Sequence, residues 1–296
     1  MSNDQNFKNL ILDYPYDSLE LFASREATEI KQGARILPVR EEQLKERLGD
    51  RFRELDVPLL VDWPDGRREA LLFVLENETD PSRFSIHRLA HYCLDLSDLL
   101  KTNRVVPVVI FLRKGSFARE LVLYGDQQDY LRFTYISFAF KGLGYEQYQE
   151  SNNIVARLNL PNMNYEPEQK IDVYAAAVRG LRRLETDTEK VIKYLDYIDI
   201  YAGLDENERI VYSQKYPEED KYMSTFAERF INQGMQQGMQ QGMQIGEANV
   251  LLRLLSLKFG EISEDKKKMI LSADSERLLK WSERILFADD VDDVLQ

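Results

Sequence analysis

A chain of 296 residues, 44% hydrophobic and 30% charged, has room for one sizeable core plus a smaller unit, and its composition excludes a disordered or fibrous protein. A formal net charge of −12 argues against non-specific nucleic-acid binding, which needs Lys and Arg to neutralise phosphates, although carboxylates that hold a divalent cation are counted in that total. The single cysteine, Cys93, excludes an intrachain disulfide and a multi-cysteine zinc knuckle; the start MSNDQNFKNL has no signal-peptide pattern and no apolar run approaches a bilayer span, so the expected compartment is the cytoplasm.

From Phe7 to Ala27, Leu10, Ile11, Tyr14, Leu19, Leu21 and Phe22 surround Pro15, the pattern of a two-part helix broken at the proline. Residues 41–54 alternate charges with Leu44, Leu48 and Phe52 four apart, an amphipathic helix with one narrow apolar edge. The period then changes. Val57 to Val61 and Ala70 to Leu75 are short apolar runs joined by Asp62-Trp63-Pro64-Asp65-Gly66-Arg67-Arg68, which predicts a hairpin of two buried strands, with Pro58 near the start of the first. Pro81 to Leu100 has helical spacing, with Asp80 or Ser82 placed to cap it. Val105 to Leu112 is an apolar, β-branched strand, so strand, helix and strand make a right-handed crossover with parallel pairing. Segments 119–123 and 130–138 read as further strands that extend the sheet.

Beyond Pro167 the pattern is helical over 167–184, 187–203 and again after Pro217. Residues 233–246, QGMQQGMQQGMQIG, repeat glycine every four positions at Gly234, Gly238, Gly242 and Gly246. On a helix this row drifts by roughly 40° per repeat and lets another helix approach closely; a flexible linker is the other reading, since each interior glycine costs ~1 kcal/mol relative to alanine. The tail holds short amphipathic patterns. The expected division is 1–145 for an α/β domain with a mixed sheet and flanking helices, 146–232 for a helical cover, 233–249 for the repeat and 250–296 for a small helical domain. A homo-oligomer through the 222–260 region is the expected assembly.

In an antiparallel pair, the numbers of opposed residues sum to a constant. A turn centred near Asp65 and Gly66 makes that constant about 131–132, which sets Asp56 opposite Glu76 with Cβ atoms ~5 Å apart. Glu78 follows two residues on, hence on the same face. Three carboxylates at one end of an apolar sheet repel one another unless a hard cation such as Mg²⁺ or Mn²⁺ relieves them. The plainer alternative is a strand ending in charges where it emerges into water. His87 and His91 lie four apart, but Arg88 stands where a zinc protease has its glutamate, so they read as two helix-surface histidines.

Taken together, Phe7-Lys8-Asn9-Leu10, Asp56, the string LLFVLENET at 71–79, a helix with Arg88 and Tyr92, and the strand VVPVVIFL resemble the recombination-promoting nuclease (Rpn) family, transposase-like PD-(D/E)xK proteins, over about residues 1–140. The resemblance implies a restriction-endonuclease-like α/β fold and a Mg²⁺- or Mn²⁺-dependent DNA endonuclease linked to mobile DNA or recombination. It implies Asp56 and Glu76 as metal ligands and Arg88 as a further site residue. Glu78 stands where the family pattern has Gln or Lys. Either it serves as an extra ligand or base, or the site is silent and the chain acts as an oligomeric interaction module. Lys114 or Arg88 could supply the missing cation to phosphate. The glycine repeat and tail also resemble the C-terminal helical domain of unknown function that follows many such chains.

Overall fold

The computed structural model describes residues 3–30, 33–39, 57–76, 84–112 and 115–295. The helix expected over 41–54 lies outside them. The chain divides into two compact units, Met1–Lys221 and Tyr222–Gln296, so residues 146–221 of the expected helical cover belong to the same unit as the sheet.

The first unit opens with α1 (Asn3–Asp13), α2 (Pro15–Phe22) and α3 (Ser24–Ile30). Pro15 starts α2 at its first turn, where a missing N–H costs nothing, so the break falls where the proline predicts it. Strand β1 (Arg35–Pro38), which the residue pattern does not announce, pairs antiparallel with β2 (Val57–Asp62), and β2 with β3 (Arg68–Glu76). Helix α4 (Ile86–Leu100) then crosses over to β4 (Val105–Phe111), which runs parallel to β3 as expected. The cap of α4 is Ser85, whose Oγ accepts from the Arg88 N–H at 3.2 Å, rather than Asp80 or Ser82. Strands β5 (Glu120–Tyr124) and β6 (Asp129–Thr134) do not extend this sheet. They pair with each other as a separate hairpin, and only β7 (Ile136–Ala139) joins the main sheet, parallel to β4. The result is an α/β fold on a mixed five-stranded sheet ordered β1-β2-β3-β4-β7. Pro107 lies in β4 one residue before β7 begins to pair, where β4 has a neighbour on one side only.

Pleating sends alternate residues to opposite faces. On one face Leu72, Val109 and Phe111 pack against Phe84, Leu89, Tyr92, Cys93 and Leu96 of the α4 segment. On the other, Phe22 of α2 meets the rings of Phe73 at 6.2 Å and Phe138 at 4.9 Å, while Phe7 of α1 lies 5.7 Å from Tyr197. That second layer is completed by α5 (Ile154–Leu158), α6 (Lys170–Leu184), α7 (Thr188–Ala202) and α8 (Glu206–Lys215). Buried within it, Asn159 accepts from Tyr197 Oη at 2.7 Å and donates to the Val155 carbonyl at 2.8 Å. Asp13 receives Lys193 Nζ at 2.6 Å and Tyr194 Oη at 2.8 Å, tying α1 to α7.

Helix α9 (Pro217–Phe259) is continuous through the glycine repeat, which is therefore helical rather than a linker. In the second unit its later turns join α10 (Glu264–Leu271), α11 (Ser275–Arg284) and α12 (Val291–Leu295) around Leu251, Leu255, Ile270, Leu278, Trp281 and Val294. Among the described residues, no helix is long and apolar enough to cross a membrane.

Candidate active site

The hairpin is where the sequence reading placed the chemistry, and its turn sets its register. Gly66 N–H donates to the Trp63 carbonyl at 3.0 Å and Trp63 N–H to the Arg67 carbonyl at 3.1 Å, with Gly66 at φ +83°. This is a three-residue loop, Pro64-Asp65-Gly66, with glycine in the left-handed position that L side chains avoid. An odd-numbered loop centres on Asp65, so opposed residue numbers sum to 130, from Val57 and Phe73 to Asp62 and Arg68. The expected constant of about 131–132 is corrected to that value, and with it goes the basis for setting positions 56 and 76 directly opposite each other. The left-handed glycine adds the residue that a tighter turn would lack.

Of the expected site residues, Asp56 and Glu78 lie outside the described residues, as does Lys114. Glu76 is the last residue of β3, and its partner across the parallel ladder is Phe111. Arg88 is half-buried in the first turn of α4, and Tyr92, one turn on, is buried. His87 and His91 are exposed on the same helix. Among the described residues no group of three His, Cys, Asp or Glu comes together. The expected metal set therefore rests on Glu76 together with two residues outside them. Carboxylate oxygens are the donors that Mg²⁺ and Mn²⁺ take, so the chemistry of the set suits such an ion.

Strands β3, β4 and β7 run parallel and end together at Glu76, Phe111 and Ala139. In open α/β sheets ligands gather beyond the C-terminal ends of such strands. A cleft of about 390 Å³ opens there, lined by Phe111 and Phe117, Tyr135, Ser137, Arg119 and Lys141 among others. Phe111 and Phe117 stack with centroids 4.2 Å apart, which is possible because Gly115 carries no Cβ: one built there would collide with the Phe117 ring. Tyr135 Oη donates to the Ala118 carbonyl at 2.8 Å and fixes the opposite wall. Lys141 Nζ is steered by the Met163 carbonyl at 2.8 Å and lies 5.3 Å from the Tyr165 ring centre. Two cations and no carboxylate line the described part of this cleft, in a chain whose net charge is −12.

The sequence reading missed Arg119, Lys141, Ser137 and Tyr135, which no spacing in the chain connects. The usable signal was positional and partial: Arg119 begins one segment that reads as a strand, Ser137 lies near the end of another and Lys141 just beyond it, whereas Tyr135 falls within that segment.

At the other end of the same strands the charges are closed off. Glu69, 2% exposed, accepts from Arg104 Nε at 3.0 Å and Nη2 at 2.8 Å, and the buried Trp63 ring lies 5.1 Å from the Arg67 guanidinium and 5.9 Å from that of Arg104. The lone thiol is likewise withdrawn from chemistry, since burial on the sheet-facing side of α4 pushes Cys93 up to about 12. Compared with protein-family models, curated proteins and solved structures, the chain finds no match in any of the three.

Proposed function

We propose that the chain is a metal-dependent DNA endonuclease-like protein with a restriction-endonuclease-like first unit, its site at the C-terminal end of β3. The observation that supports this most is the adjacency of Glu76 to the cationic cleft: its ladder partner Phe111 forms part of the wall, one strand spacing or ~4.8 Å away. An antiparallel hairpin followed by a helix and a parallel strand is the order that the fold assignment requires. Asp56, Glu76 and Glu78 would hold Mg²⁺ or Mn²⁺, which when bound polarises a phosphodiester and acidifies a water. Glu78 would orient that water, and Arg88 would meet the negative charge on the phosphate. Supercoiled plasmid incubated across a Mg²⁺ and Mn²⁺ series tests this. Wild-type protein should nick it, and Asp56→Ala and Glu76→Ala should each reduce nicking by at least 100-fold, a loss of about 2.7 kcal/mol of transition-state stabilisation. Intact plasmid at every metal concentration would end the enzymatic reading.

A second reading, a silent nuclease fold that acts by assembling, is favoured by one surface. On α9, Met235, Met239 and Met243 are 69%, 70% and 56% exposed, and a Cβ added at Gly238, Gly242 or Gly246 would meet nothing. Residues 230–246 carry no charge, so a second copy of this acidic chain could pack against that face without repulsion. Glycines costing about 1 kcal/mol each make such a helix weak unless something covers it. Light scattering should give a dimer or higher mass for the wild type and a monomer for Met235→Glu/Met239→Glu/Met243→Glu; equal masses would remove this reading.

A further inference from the structure

We infer that the cleft beyond β4 and β7 is a nucleotide pocket, which holds one phosphate on Arg119 and Lys141 and one base against the rings of Phe117 and Tyr135. This deepens the nuclease reading by naming the unit of substrate the site grips, yet its geometry stands without any metal ligand.

The volume of about 390 Å³ falls in the range of small-ligand sites, roughly 300–1,000 Å³, and suits a single nucleotide. β7 has two unlike faces. Phe138 packs inward on Phe22, whereas Ser137 and Ala139, both small and exposed, turn toward the cleft and leave it room. Gly142 adds to that room, since a Cβ there would meet nothing within 4 Å. One wall is aromatic and prepacked: Phe117 is held against Phe111 on one side and lies 5.8 Å from Phe84, while Tyr135 lies 5.5 Å from Phe84. A fixed ring loses little freedom on stacking, and base stacking on such a ring is worth ~1–3 kcal/mol. The rim is cationic, with Arg119 exposed and able to fork onto phosphate oxygens, and Lys141 held in place by the Met163 carbonyl. A duplex buries its bases in the stack, so a pocket of this size with an aromatic wall takes an unpaired nucleotide: a strand end, a flipped-out residue or a free nucleoside monophosphate.

The test is calorimetric titration in EDTA with dAMP, deoxyribose 5-phosphate, a 5′-phosphorylated ten-residue single strand and a blunt duplex. Wild-type protein should bind dAMP at least ten-fold more tightly than deoxyribose 5-phosphate. Arg119→Ala should weaken dAMP binding about ten-fold or more, the scale of one charge-assisted hydrogen bond, with unchanged circular dichroism because Arg119 is exposed. Tighter binding of the single strand than of dAMP identifies a strand end as the source of the nucleotide, and equal binding identifies the free monophosphate. Equal affinity for the sugar phosphate and dAMP, preference for the blunt duplex, or an unaffected Arg119→Ala variant would each overturn the proposal. Plasmid nicking without dAMP binding would sink the pocket and leave the nuclease; dAMP binding lost in Arg119→Ala without nicking would do the reverse.

Discussion

The two ends of the parallel strands differ in how they treat charge. At the N-terminal end, the buried Glu69 carboxylate is met by two nitrogens of Arg104 beside a buried tryptophan, and there the cation is used up holding the sheet together. At the C-terminal end, Arg119 and Lys141 border an open cleft whose described lining has no acidic residue. The same residue types thus do opposite work, and burial decides which. A guanidinium bound to a buried carboxylate is structural, whereas one on the rim of a cavity is available to a ligand. The strands are parallel, so the two ends are separated by only seven residues of β4.

Breaking the closed end should have the larger effect on stability. Arg104→Ala removes the guanidinium that pairs with the buried Glu69 and should cost about 3 kcal/mol, the low end for a broken buried pair because Arg104 is itself half exposed. Chemical unfolding reads the loss directly. Adding Glu69→Gln to Arg104→Ala should recover part of it, since a neutral amide is cheaper to bury than a carboxylate. Cys93 gives a second readout. Its thiol stays protonated and buried in the folded protein, so alkylation should be slow in the wild type and faster in Arg104→Ala. At the open end, Arg119→Ala should change stability by less than about 0.5 kcal/mol and leave Cys93 labelling unaltered. If Arg119→Ala destabilised the fold as much as Arg104→Ala, the contrast between the ends would fail.

Much of the fold was legible because local chemistry and period agreed. The Pro64-Asp65-Gly66 turn, the apolar runs around it and the helical spacing of 86–100 each pointed to the element that formed. Three features needed contacts that no local pattern encodes. Strand β1 is four residues long and exists through its pairing with β2. The alternation in 120–134 announced strands but not their partner, and these residues pair with each other. The register required knowing that Gly66 takes the left-handed conformation, which closes the loop in three residues centred on Asp65. Helix α8 was passed over although Asp205 and Glu208 cap its start reciprocally, a signal that was readable. The candidate site divides similarly: Glu76 was found from its place at a strand end, whereas Arg119 and Lys141 lie 22 residues apart and meet only through the strands between them.

In the proposed site, carboxylates 56 and 76 share one cation beside the cleft. Electron paramagnetic resonance of free Mn²⁺ during titration measures that without requiring turnover. One tightly bound ion per wild-type chain is expected, with affinity falling at least ten-fold in both Asp56→Asn and Glu76→Gln. Full retention of the free-ion signal with wild-type protein, or equal binding by all three proteins, would contradict it.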